Sequence, residues 1–367
     1  MTIQDPLKGQ KFGPAIVSLA NAARAFDAPV RYPILFNSPN AFTSPWGMPR
    51  ASSFITLIEH FFGIVILLPF IGFTRGFKRL FQSIKTFTLR DWISLLYVSF
   101  GGSALGLFFF LMAMGLGNPT IAILVQKVQP LVTLIFAVII LKERLSLRFY
   151  IALGAALVGI VLMAMPDIIT LIEEGDYTGL IAIVFSLIAA ILWGGSTVFG
   201  RILTEKVDFW DLTLLRYIGG FIFLIFLNIP LMTYNSTYFG FLIQKQHVFS
   251  YENPPGSGIF VPVNWQWFII LAILYFAALT GGVLPISLYY FGLKRTKASI
   301  AGLSELAFPV LAIIVNYFFL GYGLDWYQGS GALILLVTMT LLSYINAKEL
   351  EKAEKKTSTI NTKEEKV

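Results

Sequence analysis

The sequence predicts an all-α polytopic membrane protein of about ten transmembrane helices, arranged as two inverted five-helix repeats. Three observations predict it. The chain has 367 residues, of which 56% are hydrophobic and 13% charged, about half the charged share of an ordinary soluble domain. Apolar runs near twenty residues, the length that crosses a hydrocarbon core as a helix, recur along it. The chain also aligns with itself without gaps over a long stretch at an offset of 179, which pairs Gly102 with Gly281, Leu105 with Leu284, Ala122 with Ala301, Pro130 with Pro309 and Leu141 with Leu320. Gln126 then meets Glu305.

Taken in order, the runs predict helices at about 12–36, 52–73, 92–115, 119–141 and 147–165, then at about 177–203, 209–232, 265–291, 298–320 and 326–346. Five crossings per repeat is an odd number, so the second copy enters the bilayer from the opposite face. That inverted symmetry is the architecture on which alternating access is built, because it supplies two half-structures whose roles can exchange. The segments between the runs support the layout. Lys8 and Lys11, Arg75 to Arg90, Lys142 to Arg148, Arg201 and Lys206, Lys294 to Lys297 and the tail from Lys348 carry the cations and fall on one side. The other side receives the acidic turn with Asp167, Glu173, Glu174 and Asp176, a long neutral loop, and Asp325. By the positive-inside rule the basic side is cytoplasmic and both termini lie there. The expected domains are 1–11, a cytoplasmic N-terminus; 12–166, a first repeat with a divergent first helix; 167–176, an outer turn; 177–346, the second repeat; and 347–367, a charged cytoplasmic tail. The opening MTIQDPLKGQKFG lacks the pattern of a secretory signal and reads as a retained cytoplasmic end.

Composition excludes several chemistries. There is no cysteine, so disulfides and zinc-thiolate sites are absent, and the two histidines, His60 and His247, are too far apart in the chain to suggest a metal site. The net charge of +7 is spread over short inter-helical segments, which reads as topology rather than nucleic-acid binding. No GxxxxGK[ST] loop is present to hold a nucleotide.

The sixth run, GLIAIVFSLIAAILWGGSTVFGRIL, with its Trp-Gly pair, is followed by a seventh carrying LLRY. Together with QPLVTLIFAVIILKERLSLRFYIALGAALVGIVLM and FGLKRTKASIAGLSELAFPVLAIIVNYFFLGYGLDWYQGSGALIL near the ends of the two halves, these resemble the EamA domain of the drug/metabolite transporter superfamily. The resemblance covers about residues 90–346, and more loosely the start. It implies ten helices in two inverted repeats, a central cavity and transport of small organic solutes, without naming a solute. Two departures stand out: Tyr322 occupies a place where the family often has Glu, which Glu143 keeps in the first half, and NAARAFDAPVRYP replaces the expected apolar first helix. A nine-helix chain with an interfacial first segment is the alternative layout.

The candidate site residues are polar groups that interrupt apolar runs. Asn21, Arg24, Asp27 and Arg31 are spaced three, three and four apart, one helical face on which Asp27 reaches both arginines. They either satisfy one another near the headgroups or wall a cavity. Glu59 and His60 interrupt the second run, and Glu59 corresponds by repeat to Arg216 of the seventh. His60 beside Glu59 suggests a proton relay, though adjacent helical residues point about 100 degrees apart. Lys127 sits among Gln126, Gln129 and Pro130 in the fourth run. Burying it costs about 2.5–3.5 kcal/mol on insertion scales, so it either snorkels to the outer interface or faces a cavity with Glu59 or Asp27 as counter-ion. Glu305, Pro309 and Asn316 form the matching stripe on the ninth run. The two prolines either free carbonyls for a cavity or merely kink their helices. Gly101, Gly102, Ser103, Gly106, Gly281 and Gly282 read as close-packing positions before ligand contacts.

These readings converge on a secondary transporter in the cell membrane (the inner membrane of a Gram-negative source), moving a small polar or amphipathic organic metabolite by alternating access. The expected partners are that small-molecule substrate, the lipid bilayer, and a proton or counter-substrate that drives transport. A homodimer is open, and no cofactor or nucleic acid is expected. Within the expected spans Arg24, Arg31, Lys127 and Arg216 exceed Asp27, Glu59 and Glu305 by one charge, which suggests an anionic or zwitterionic solute. Glu59 with Arg24, Arg31 or Lys127 is the expected outer closure, and Glu305 with Arg216 the inner one. The alternatives from other classes are a membrane-embedded enzyme using Glu59, His60 and Asp27, and a nontransporting sensor or scaffold.

Overall fold

A computed structural model describes residues 24–28, 47–141, 147–204, 206–233, 285–288 and 307–338, with a few single positions besides. Of the expectations above, Asn21, Arg31, Lys142, Glu143, Arg144, His247, Gly281, Gly282, Glu305, most of the runs at 12–36 and 265–291 and the charged tail lie outside these residues.

Every regular element among the described residues is helical. After a one-turn helix at Arg24–Phe26 come α1, Gly47–Thr74; α2, Phe77–Lys85; α3, Leu89–Leu116; α4, Pro119–Gln126; α5, Gln129–Leu141; α6, Leu147–Glu174; α7, Thr178–Thr204; α8, Phe209–Thr233; α9, Ala307–Leu320; and α10, residues 326–338. Parts of α1, α3, α6, α7 and α8 are long and apolar enough to span a membrane. Their outward faces carry exposed Phe61, Val65 and Phe73 on α1, Val158 and Val161 on α6, and Ile222, Phe226 and Ile229 on α8, as a lipid solvent requires.

Local chemistry sets the ends. Asn118 caps α4, its side chain accepting from the Thr120 N–H at 2.9 Å, with Pro119 at the first helical position, where no N–H is needed. Thr88 and Asp91 form a capping box at the start of α3. Gly76, Gly175 and Gly321 follow α1, α6 and α9 at φ 71, 72 and 70 degrees, a conformation a Cβ disfavours.

Three elements differ from the expected ones. The run at 119–141 is broken at Lys127–Val128 into α4 and α5, because Pro130 has no N–H for the Gln126 carbonyl and its ring crowds it. The helix expected at 147–165 continues to Glu174. Pro166 is accommodated within it, so the acidic residues 167, 173 and 174 are helical rather than part of a turn. The nine-residue α2 was not expected, being too short to register among twenty-residue runs.

Helices related by the repeat pack against each other in antiparallel fashion. In α1 and α8, Ser53 near the start of one bonds Asn228 near the end of the other at 3.0 Å, while Arg75 just past α1 pairs with Asp208 just before α8 at 2.6 Å. In the related runs 119–141 and 298–320, Thr120 at the start of α4 accepts from Asn316 near the end of α9 at 3.0 Å. In α6 and α10, Gly159 lies against Gly331 and Leu335, and Met163, one turn on, against Gly331. Helices that meet their own repeat copies antiparallel are what an inverted duplication produces.

The α6–α10 contact sets a packing prediction. A Cβ at Gly331 would overlap the Gly159 carbonyl oxygen and lie 2.9 Å from Met163 Cγ, whereas nothing lies within 4 Å of a Cβ at Gly154. Gly331→Val is therefore expected to destabilise by about 1–3 kcal/mol and Gly154→Ala to have little effect, as read from thermal unfolding in detergent.

Candidate functional site

Two polar clusters lie inside the bundle. The first is built at the break between α4 and α5. Lys127 caps α4 and is 5% exposed, so it does not snorkel to the surface. Its Nζ stands 4.6 Å from the centre of the Phe308 ring on α9. The guanidinium of Arg24 lies 5.6 Å from the same ring and 5.9 Å from the indole of Trp193 on α7. Trp193 packs on Phe110 of α3, ring centres 5.2 Å apart. A desolvated cation over an aromatic face gains about 0.5–2 kcal/mol, less than the roughly 2.5–3.5 kcal/mol that burial of a lysine costs. Phe308 therefore offsets only part of the cost of Lys127.

A string of amides and hydroxyls runs from this cluster along the α5–α7 seam. Gln126 Nε2 donates to Gln129 Oε1 at 2.6 Å, and Gln129 Nε2 to Thr197 Oγ1 at 3.4 Å. Thr197 Oγ1 returns to the Trp193 carbonyl at 3.0 Å, and Thr133 Oγ1 bonds the Gln129 carbonyl at 3.0 Å. Gln129, Thr133, Trp193 and Thr197 are each half-buried. The approach of α7 depends on the two glycines after Trp193: a Cβ at Gly194 would lie 2.8 Å from Val132, and one at Gly195 would overlap Tyr97.

The second cluster joins α1, α3 and α8. His60 is 1% exposed. Its Nδ1 is 2.7 Å from the Thr56 carbonyl oxygen, which can only accept, so this nitrogen carries the proton. Its Nε2 is 2.8 Å from Ser103 Oγ. Tyr217 meets the imidazole edge-on at 5.3 Å, and the ring fills the space where Gly220 has no side chain. Glu59 is buried beside His60, and Arg216 is half-buried beside Tyr217. Both lie within about one helical turn of the midpoints of their spans, Ser52–Thr74 and Phe209–Ile229.

The clusters share one backbone stretch. Residues Tyr97–Leu105 of α3 are a π-helix, and its Gly102 carbonyl accepts the Trp193 Nε1–H at 2.7 Å. The next residue, Ser103, holds His60. A π-turn shifts the backbone out of the regular ladder and is concentrated at functional sites. Here it aims one carbonyl at Trp193 and one hydroxyl at His60. Gly102 and Gly106 serve close approach, to Ser196 and to Trp193 respectively.

Of the residues singled out in the sequence, Arg24 and Lys127 lie against Phe308, Gln126 and Gln129 continue from Lys127 toward Thr197, and Asp27 is buried just after the turn that bears Arg24. Glu59, His60 and Arg216 belong to the second cluster. Asn316 is 0% exposed and bonds Thr120 toward the α4 N-terminus, apart from both. Sequence reasoning missed Phe308, Trp193 and Ser103 as site residues. The repeat offset held a signal for the first, since Phe308 stands 179 residues after Gln129. Among the described residues no three His, Asp or Glu side chains come together to hold a metal.

A profile of the EamA-like transporter family matches residues 41–165 and 180–344. The chain belongs to the EamA-like transporter family. Its two matched blocks correspond to the two repeats. A relative of this EamA-like chain is the Riboflavin transporter ImpX of Fusobacterium nucleatum subsp. nucleatum, 27% identical over 299 residues, which are 80% of this chain and 88% of that protein. A crystal structure of a protein 16% identical superposes with a TM-score of 0.51, covering 94% of this chain and 98% of the other, which shows the shared fold. Family and relative point to a multi-pass small-molecule transporter rather than to an enzyme.

Proposed function

We propose that this EamA-like protein is a secondary transporter that moves a planar heteroaromatic metabolite of the flavin type across the cell membrane by alternating access. The observation that carries the reading is the aromatic-cationic cluster: Arg24 and Lys127 over the Phe308 ring, Arg24 also over Trp193, and Trp193 packed on Phe110. An isoalloxazine ring is flat, electron-poor and edged with carbonyl acceptors and an imide N–H. Stacking on an indole or phenyl face with cations near its carbonyl edge suits it. The ribityl chain is a run of hydroxyls, and the Gln126–Gln129–Thr197 string offers donors and acceptors of matching kind. The riboflavin transporter relative supports the same class.

With no nucleotide loop in the sequence, an ion gradient or exchange drives transport. In this reading Glu59 and Arg216, repeat counterparts near the midpoints of their spans, trade partners between the two states. The test is counterflow. Proteoliposomes loaded with unlabelled riboflavin should transiently accumulate labelled riboflavin, and ribitol, which lacks the ring, should not compete. Flavin mononucleotide as a competitor decides whether the site accepts an acidic group, as the charge excess in the spans suggests. Uptake equal to that of protein-free liposomes would refute the reading.

A further inference from the structure

We propose that α2 and the start of α3 form a binding surface for anionic phospholipid headgroups. The inference is independent of the substrate. Helix α2 has nine residues, about 13 Å, too short to cross a bilayer. It connects two spanning helices, so it lies at the boundary plane. Phe77, Leu80 and Ile84 share one face and pack on Leu67 and Ile71 of α1 and Leu214 of α8. The neighbouring stripe, Lys78, Phe81 and Lys85, is exposed, with Phe81 61% exposed. Trp92, 44% exposed at the beginning of α3, lies on the same first turn as exposed Arg90. An aromatic side chain between cations is the pattern of an interfacial segment with its ring below the headgroups and its charges among them.

Charge accounting separates this surface from the structural cations nearby. Asp208 engages Arg75 at 2.6 Å and Arg79 at 3.4 Å, and Asp91 engages Lys206 at 2.5 Å. Those pairs tie the α7–α8 loop to the ends of α1, α2 and α3. No carboxylate among the described residues pairs with Lys78, Lys85 or Arg90. Three exposed cations on one rim, flanked by Phe81 and Trp92, match an anionic headgroup attached to acyl chains. A free phosphate supplies the charge but nothing for the aromatic side chains. The apolar face of α2 rests in the cluster that includes Tyr217, the residue against His60, so a lipid held here presses on the α1–α8 seam.

The experiment uses delipidated full-length protein in a neutral detergent, titrated with dioctanoyl phosphatidylglycerol, dioctanoyl phosphatidylcholine or glycerol 3-phosphate and read by thermal unfolding. Phosphatidylglycerol should raise the midpoint saturably, and the other two should not. The variant K78Q/K85Q/R90Q should need on the order of a hundredfold more phosphatidylglycerol while keeping its unliganded midpoint. Should the variant fold poorly, wild type decides alone. At about 1 M salt, where the Debye length is roughly 3 Å, its preference for phosphatidylglycerol should vanish. Equal stabilisation by phosphatidylcholine, a full response to glycerol 3-phosphate, or an unchanged response of the variant would each overturn the proposal.

Discussion

Phe308→Leu is expected to cost about 1–4 kcal/mol of stability, the sum of two desolvated cation–π contacts, and to lower flavin counterflow by tenfold or more. Leucine retains much of the apolar burial of a side chain that is 2% exposed. What it lacks is the negative ring face on which Arg24 and Lys127 both lie. Two buried cations then lose a favourable neighbour together, and the stacking surface for a flat substrate is lost with it. Phe318→Leu is the control, because Phe318 is on the same helix but 52% exposed toward lipid. Thermal unfolding and counterflow on both variants check the claim. Equal behaviour of the two would show that the ring at 308 is ordinary packing.

Gly102→Ala is expected to be the most damaging single methyl addition near the site, destabilising by about 1–3 kcal/mol and lowering transport. The new Cβ would overlap both the Oγ and the Cβ of Ser196. A Cβ cannot swing away as the end of a long side chain can, so α3 and α7 must separate. That movement carries the Gly102 carbonyl off the Trp193 indole and shifts Ser103 against His60. Adding Ser196→Gly opens the space and should recover part of both losses, less about 1 kcal/mol for a glycine within a helix. If the double variant is no better than Gly102→Ala alone, the close approach is not what constrains this position.

Much of the fold was legible because lipid imposes a simple rule on sequence: a spanning helix must be apolar for about twenty residues. The runs that became α1, α3, α7 and α8 were visible for that reason. The rule is silent on what happens inside a run. Pro130 announced a disturbance, but whether it bends the helix or breaks it depends on what the freed carbonyls and Lys127 find around them, which is tertiary. Likewise Pro166 looked like an end and is an interior residue of α6. Helix α2 follows a different rule, amphipathic and interfacial, and was missed by a search for length.

The site shows the same division. Arg24, Glu59, His60, Gln126, Lys127 and Gln129 were legible as polar anomalies against an apolar background, where each needs a reason. Phe308 and Phe110 were not, because in a chain with 34 phenylalanines one more carries no anomaly. Trp193 was visible within the Trp-Gly pair, as part of the family resemblance only. Its orientation follows from a π-turn in α3 that no local pattern in YVSFGGSAL announces.

In the proposed function a flat aromatic substrate stacks at Trp193 and Phe308. Flavin emission reports such stacking, since contact with an indole quenches it. Purified protein should quench riboflavin fluorescence saturably, Trp326→Leu should leave that quenching unchanged because Trp326 is 83% exposed, and Trp193→Leu should abolish it. Saturable quenching that persists in full in Trp193→Leu would contradict the claim and place the flavin elsewhere.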